Sequence, residues 1–230
     1  MKNQAVPIRP AATIALLKDS DQGPKILMQQ RSHDAIFVGG AWVFPGGKLD
    51  PHDREHAWLD YCDLQQECAN SLLEMEADGH AYWIAAIREL VEEAGILLAD
   101  GATSTMAASA QQYLQQSPSG FLDFCRQHQL HLQTGKLKYL SRWITPPGSP
   151  KRYDTRFFLC PWPEGQEPLQ DDHEAIATGW FTAQQALDRY ERGDWQLVLP
   201  TIMTLRHLAK YTSVAELLEQ EGQATPIKTR

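Results

Sequence analysis

Three features are missing from this sequence. It has no run of Lys and Arg, no uninterrupted apolar stretch near the ~20 residues that a membrane span needs, and no CxxC or Cys/His spacing among Cys62, Cys68, Cys125 and Cys160. The first absence, with 21 basic against 29 acidic residues and a formal charge of -8, argues against nucleic acid as a partner. The second argues against a membrane. The third favours reduced thiols over a disulfide or zinc framework. Residues 1–7 contain no apolar signal core, so a cytoplasmic protein is expected. There is no internal repeat or low-complexity tract.

What is present suits one large core. A chain of 230 residues with 43% hydrophobic content reads as a single domain over residues 1–230. Residues 11–18 and 25–31 read as strands joined by the turn Asp19-Ser20-Asp21-Gln22-Gly23-Pro24, which predicts a hairpin. Residues 41–44 read as a third strand running into Pro45-Gly46-Gly47, a tight turn where backbone passes close to something else. From Pro51 to Gly79 an imperfect apolar stripe predicts one long helix or two short ones. Residues 101–134 read as a helical excursion. Strands are predicted over 138–145, 156–160 and 177–181, the last leading into a helix capped by Thr182 and closing at Gly193. Helices opened by Pro200 and capped by Ser213 follow, then a frayed tail over 223–230. Without regular βα alternation, a mixed sheet flanked by helices is expected.

The chemistry concentrates in Arg88-Glu89-Leu90-Val91-Glu92-Glu93-Ala94-Gly95-Ile96. On a helix Glu89, Glu92 and Glu93 stand at i, i+3 and i+4, so their carboxylates share a face about 100° wide. Gly95 is the residue type that ends a helix, which puts Glu92 and Glu93 in the last turn. Acids there oppose the macrodipole at ~0.3–1 kcal/mol each. The placement costs stability and suits a cation. Ile84, Ile87, Leu90, Val91 and Ala94 fall on the opposite side, an amphipathic split.

These residues resemble the Nudix box, whose pattern is Gly, five residues, Glu, seven residues, Arg-Glu, an aliphatic, any residue, Glu-Glu, any residue, Gly, an aliphatic. Gly47 begins it and residues 88–96 complete it. A chance match to that second half in a chain of this length is on the order of one in a hundred thousand. The sequence departs from the pattern twice: Asp53 stands where the first Glu belongs, and the 34 residues 54–87 occupy the place of seven, an insertion of 27. The insertion, helical over about residues 54–80, resembles the peroxisomal-type acyl-coenzyme A diphosphatases of the Nudix family. So do Arg142 to Pro146, Arg152 to Leu159 and Leu199-Pro200-Thr201. A coenzyme A signature of a related subgroup is matched by Arg31-Ser32, Gly40 and Phe44 to Gly47, with Ile36 replacing its second Arg.

The resemblance implies an α/β/α sandwich and a metal-dependent diphosphatase. Its substrate would be coenzyme A or acyl-coenzyme A, cut to 3′,5′-ADP and (acyl-)4′-phosphopantetheine. ADP-ribose, a dinucleotide or a nucleotide sugar is the alternative substrate. The alternative of another class is a non-catalytic binding module, whose mark would be lost glutamates, and all three are kept. Mg²⁺ or Mn²⁺ prefers hard oxygen ligands; Glu89, Glu92 and Glu93 supply carboxylates and, by resemblance, Gly46 its carbonyl. Arg88 is expected to orient the glutamates and to pair with Glu92 at i+4. Glu174 and Glu89 are the two candidates for handling the proton of the attacking water. Arg31, Lys48 and Arg152 are candidates for the substrate's phosphates, Arg31 for its adenine side as well, against a reading as surface charge. Since many relatives are dimers, a homodimer is also implied.

Overall fold

The computed structural model describes residues 6–34, 38–169, 175–223 and 227–228. Strand β1 (Ile8–Lys18) runs through the centre because its sequence is apolar on both faces. Ala12, Ile14 and Leu16 point into one core and Ala15 and Leu17 into the other, the period-2 alternation of a strand buried on both sides. Around it lie β2 (Lys25–Arg31), β3 (Trp42–Val43), β4 (Gly46–Lys48), β5 (Lys138–Ile144), β6 (Arg152–Pro161), β7 (Ala175–Thr182) and β8 (Ile227–Lys228). They form one eight-stranded sheet of order β3-β2-β1-β6-β5-β8, with β4 paired to β1 and β7 to β2. Pairing is parallel for β1 with β6 and β5 with β8, and antiparallel elsewhere, so the sheet is mixed as expected.

Helices cover both faces. On one side lie α1 (Gln66–Leu73), α2 (His80–Ala94), α3 (Ser104–Gln116) and α4 (Phe121–Gln127). On the other lie α5 (Ala183–Glu191), α6 (Leu199–Leu208) and α7 (Val214–Gln223). This is the α/β/α sandwich. No described helix is long and apolar enough to cross a membrane.

Four local expectations are corrected. The expected β1–β2 hairpin forms but is paired only beside its turn, Leu17 with Ile26 and Lys18 with Lys25. Beyond it the strands part: β4 pairs with Ala11, Ala12 and Thr13 on the edge of β1 that faced β2, and β3 with Gln29 and Gln30 on the edge of β2 that faced β1, while β6 and β7 line the other edges of β1 and β2. Gly46-Gly47 is a strand rather than a turn, with Thr13 opposite Gly46 and Ala12 opposite Gly47. The stretch after Pro51 forms two 3₁₀ turns, Pro51–Arg54 and His56–Asp60, before the short α1, because its apolar stripe is too broken to carry a long helix. In the tail, Ile227–Lys228 pairs with β5 at Ser141 and Arg142.

Helix α2 ends where predicted: Gly95 closes it in the left-handed conformation at φ 61°, with Gly95 N–H on the Val91 carbonyl. Its environment differs from the amphipathic expectation. Ala81 to Ile87 are all buried, and so are Arg88 and Glu93, because α3 and the 51–79 segment stack on the side that would otherwise meet solvent. The charged residues of α2 therefore sit in an enclosed site.

Candidate active site

The site is built where α2 crosses β4. Glu93 Oε2 accepts the Gly46 N–H at 2.9 Å, and the Glu93 backbone carbonyl accepts Gln29 Nε2 at 2.8 Å from β2. Gly47 lies under Glu89: a Cβ there would stand 2.4 Å from Glu89 Oε2. Gly46 is equally constrained, with φ 153° and an added Cβ 2.4 Å from the Ala12 carbonyl oxygen. Both glycines are required by close approach, one to the carboxylate and one to β1.

Arg88 ties these parts together. Its Nε and Nη2 donate to Asp53 Oδ1 and Oδ2, both at 2.9 Å, a bidentate fork in which the two side chains are 7% and 2% exposed. Nη2 also donates to the Lys48 carbonyl at 2.9 Å, and Nη1 to Glu89 at 3.0 Å and Glu92 at 3.1 Å. Burial lowers the guanidinium's pKa, but the Asp53 bonds and the Glu89, Asp53 and Glu92 charges outweigh it, so the net shift is upward and Arg88 stays charged. Asp53 in turn accepts the Asp50 N–H at 2.7 Å, while Asp50 caps the same turn through His52 N–H. Asp53, at the position of the family's first Glu, thus anchors the loop to Arg88. Glu89 is pushed up to about 7, first by burial and then by the Glu92 charge, with Arg88 pulling the other way.

Glu89 and Glu92 meet at one atom, Arg88 Nη1, and Glu93 turns to the Gly46 amide. Among the described residues no three His, Cys, Asp or Glu stand together in the arrangement of a metal site. The donors present are still the hard oxygens that a divalent cation of the Mg²⁺ type takes, beside a buried carboxyl that burial makes costly to charge alone.

Of the substrate candidates, Arg31 shares a small cavity with Glu93, Gln29, Val43 and Ala175. Lys48 contributes its carbonyl to Arg88 and exposes its side chain. Arg152 is not brought to the glutamates. It lies opposite Ile8, five residues along β1 from Gly46's partner Thr13, or roughly 16 Å, and its Nε donates to the Thr145 carbonyl. Glu174 and Ile36 lie outside the described residues. Two contributors escaped the sequence reading: Gln29, and Gln111 of α3, whose Nε2 holds the Glu92 carbonyl at 2.9 Å. A buried polar residue in an apolar strand was the available signal for Gln29.

A mixed sheet between two helical layers, with a glutamate helix clamped over a diglycine strand, defines a Nudix domain. More narrowly, the sequence model of the NUDT19 Nudix domain matches residues 8–208, and the chain belongs to that family. Human acyl-coenzyme A diphosphatase NUDT19 is 28% identical, over 85% of this chain and 63% of that protein. The Xenopus laevis protein of the same name is 24% identical, over 91% of this chain and 66% of that one. The chain thus spans slightly under two thirds of the length of these relatives. The crystal structure of a NUDIX hydrolase from Alicyclobacillus acidocaldarius superposes with a TM-score of 0.80 at 29% identity, covering 93% of this chain and 96% of that one.

Proposed function

We propose that this chain hydrolyses the diphosphate of coenzyme A or acyl-coenzyme A, releasing 3′,5′-ADP and 4′-phosphopantetheine or its acyl form. The observation that carries the reading is the clamp in which Arg88, fixed by Asp53 and the Lys48 carbonyl, holds Glu89 and Glu92 beside Gly46-Gly47. The choice of coenzyme A is supported by the activity named for the human and Xenopus relatives.

Glu89, Glu92, Glu93 and the Gly46 carbonyl would hold Mg²⁺ or Mn²⁺, which when bound neutralises charge developing on the diphosphate oxygens. The chain's own part is positioning. Arg88 holds Glu89 and Glu92 in place, the Gly46 amide holds Glu93, and Gln29 ties the backbone of α2 to the sheet. Glu89, buried beside Glu92 and held by Arg88, is the described candidate for taking the proton of the attacking water. The reading of Arg31 as a phosphate ligand is supported by the cavity that it shares with Glu93.

The test is a panel of coenzyme A, acetyl-coenzyme A, ADP-ribose, NADH and nucleotide sugars with Mg²⁺ or Mn²⁺, with products identified by mass. Release of 3′,5′-ADP from coenzyme A at the highest kcat/KM is expected. A clear preference for ADP-ribose would overturn the coenzyme A reading.

A further inference from the structure

Strands β2 and β7 are paired so that Leu27 lies opposite Trp180, Gln29 opposite Thr178 and Arg31 opposite Ala175. Opposed residues share a face. Leu27 belongs to the core under α2, and Gln29 bonds the Glu93 carbonyl, so this face looks toward the end of α2 that carries the site glutamates. Three polar atoms of that pair of strands are buried without a partner: Arg31 Nε, Thr178 Oγ1 and Trp180 Nε1. Buried polar groups are nearly always satisfied. Only six side-chain N or O atoms among the described residues break that rule, and half of them belong to this one strand pair.

The arrangement has a direction and a chemistry. Arg31 lines the cavity with Glu93, Thr178 sits one strand beyond Gln29, and Trp180 follows two residues further, about 7 Å along the strand. From Arg31 to the position of Leu27 the face runs roughly 14 Å. Arg Nε–H and Trp Nε1–H can only donate, and the Thr hydroxyl can donate or accept. A ligand completing the set therefore brings acceptors at intervals along an extended chain. A nucleobase, one rigid ring system, does not reach from Arg31 to Trp180. The far end is bounded by Trp162, packed edge-on against Trp180, with the Lys18 ammonium over both rings.

We propose that this face of β2 and β7 is the track for the non-nucleotide arm of the substrate, an extended chain whose amide carbonyls meet Thr178 and Trp180 while Arg31 stands at the diphosphate end. The proposal rests on the diphosphatase reading above and assigns Thr178 and Trp180 as specificity residues. Thr178→Val removes a donor at near-constant volume, and Trp180→Phe removes the indole N–H while keeping an aromatic ring.

The test is calorimetric titration with 4′-phosphopantetheine and with ADP, which lacks the arm, on the parent chain and the double variant. Loss of two such hydrogen bonds should weaken 4′-phosphopantetheine about tenfold while ADP changes less than about twofold. The ratio of kcat/KM for coenzyme A to that for ADP-ribose should fall by a similar factor. Should the double variant not fold, judged by its melting transition, Thr178→Val alone carries the same comparison. Undetectable or unchanged 4′-phosphopantetheine binding, or an equal loss of ADP, overturns the track. If the parent chain does not hydrolyse coenzyme A yet binds 4′-phosphopantetheine through Thr178 and Trp180, the track stands and the diphosphatase reading falls.

Discussion

Asp53→Asn isolates what the clamp contributes. The substitution keeps the side chain's shape and removes its charge, at a position where both oxygens accept from Arg88 at 2.9 Å and one also accepts from Asp50 N–H at 2.7 Å. Asn offers one acceptor oxygen, so its amide N–H₂ must face either Arg88 Nε–H or both Arg88 Nη2–H and the Asp50 N–H. Removing one partner of a buried ion pair costs ~3–5 kcal/mol, because the other charge is left uncompensated. Arg88 keeps Glu89 and Glu92 as partial compensation, which places the expected loss near the lower end, about 3 kcal/mol. For a domain of this size that lowers the melting temperature by about 6–12 °C. Turnover should fall as well, since the guanidinium that sets Glu89 and Glu92 loses its anchor. The assay is thermal unfolding of the parent, Asp53→Asn, Arg88→Met and the double variant, with activity measured on each. The two changes should be non-additive by at least about 2 kcal/mol. A drop below about 2 °C for Asp53→Asn, or simple additivity, would refute the claim that this pair holds the site together.

Three further outcomes are expected. Glu93→Gln keeps an acceptor for the Gly46 amide, so its melting temperature should stay within a few degrees of the parent while turnover falls by about two orders of magnitude or more; parental turnover would remove Glu93 from the metal set. Gly47→Ala drives a methyl onto the Glu89 carboxylate and should abolish most activity at modest cost in stability, checked by rate and by urea midpoint, whereas full activity would mean that Glu89 need not sit there. His80 is buried with neither ring nitrogen partnered, and burial lowers its pKa below 6.5. Its unfolded form therefore binds a proton more readily, so the stability tied to neutral His80 is present above about pH 6.5 and lost as pH falls through the lowered folded value. His80→Leu should flatten the fall in urea midpoint between about pH 7 and 5, and an unchanged slope would exclude the histidine as its source.

Much of the molecule was legible because its signals are local. The bounds of α2 follow from its apolar positions and from Gly95, and the α5 start from Thr182, whose hydroxyl and Gln185 form a reciprocal cap. What escaped depends on contacts between residues far apart in the chain. Gly46-Gly47 reads locally as a turn and becomes a strand only because Ala12 and Thr13 lie opposite. The three glutamates share a helical face, but their mutual placement is set by Arg88, whose fork needs Asp53, 35 residues earlier. Arg152 is a phosphate candidate by charge alone, and only the β1–β6 register gives its place, opposite Ile8 at the start of β1.

The divergence of β1 and β2 bears on how the protein is made. All the glycines and glutamates of the site have left the ribosome once Gly95 has emerged, yet the long partner of β1 ends at Pro161 and that of β2 at Thr182. Until then the two central strands present open edges, zipped to each other over only two residue pairs. At ~5–20 residues per second, that interval lasts roughly 3–13 s for β1 alone. The nascent chain is therefore most vulnerable to wrong pairing in the middle of its synthesis, and a product released between Gly95 and residue 161 would carry Gly46-Gly47, Asp53, Arg88 and the glutamates of α2 without the full sheet that arranges them.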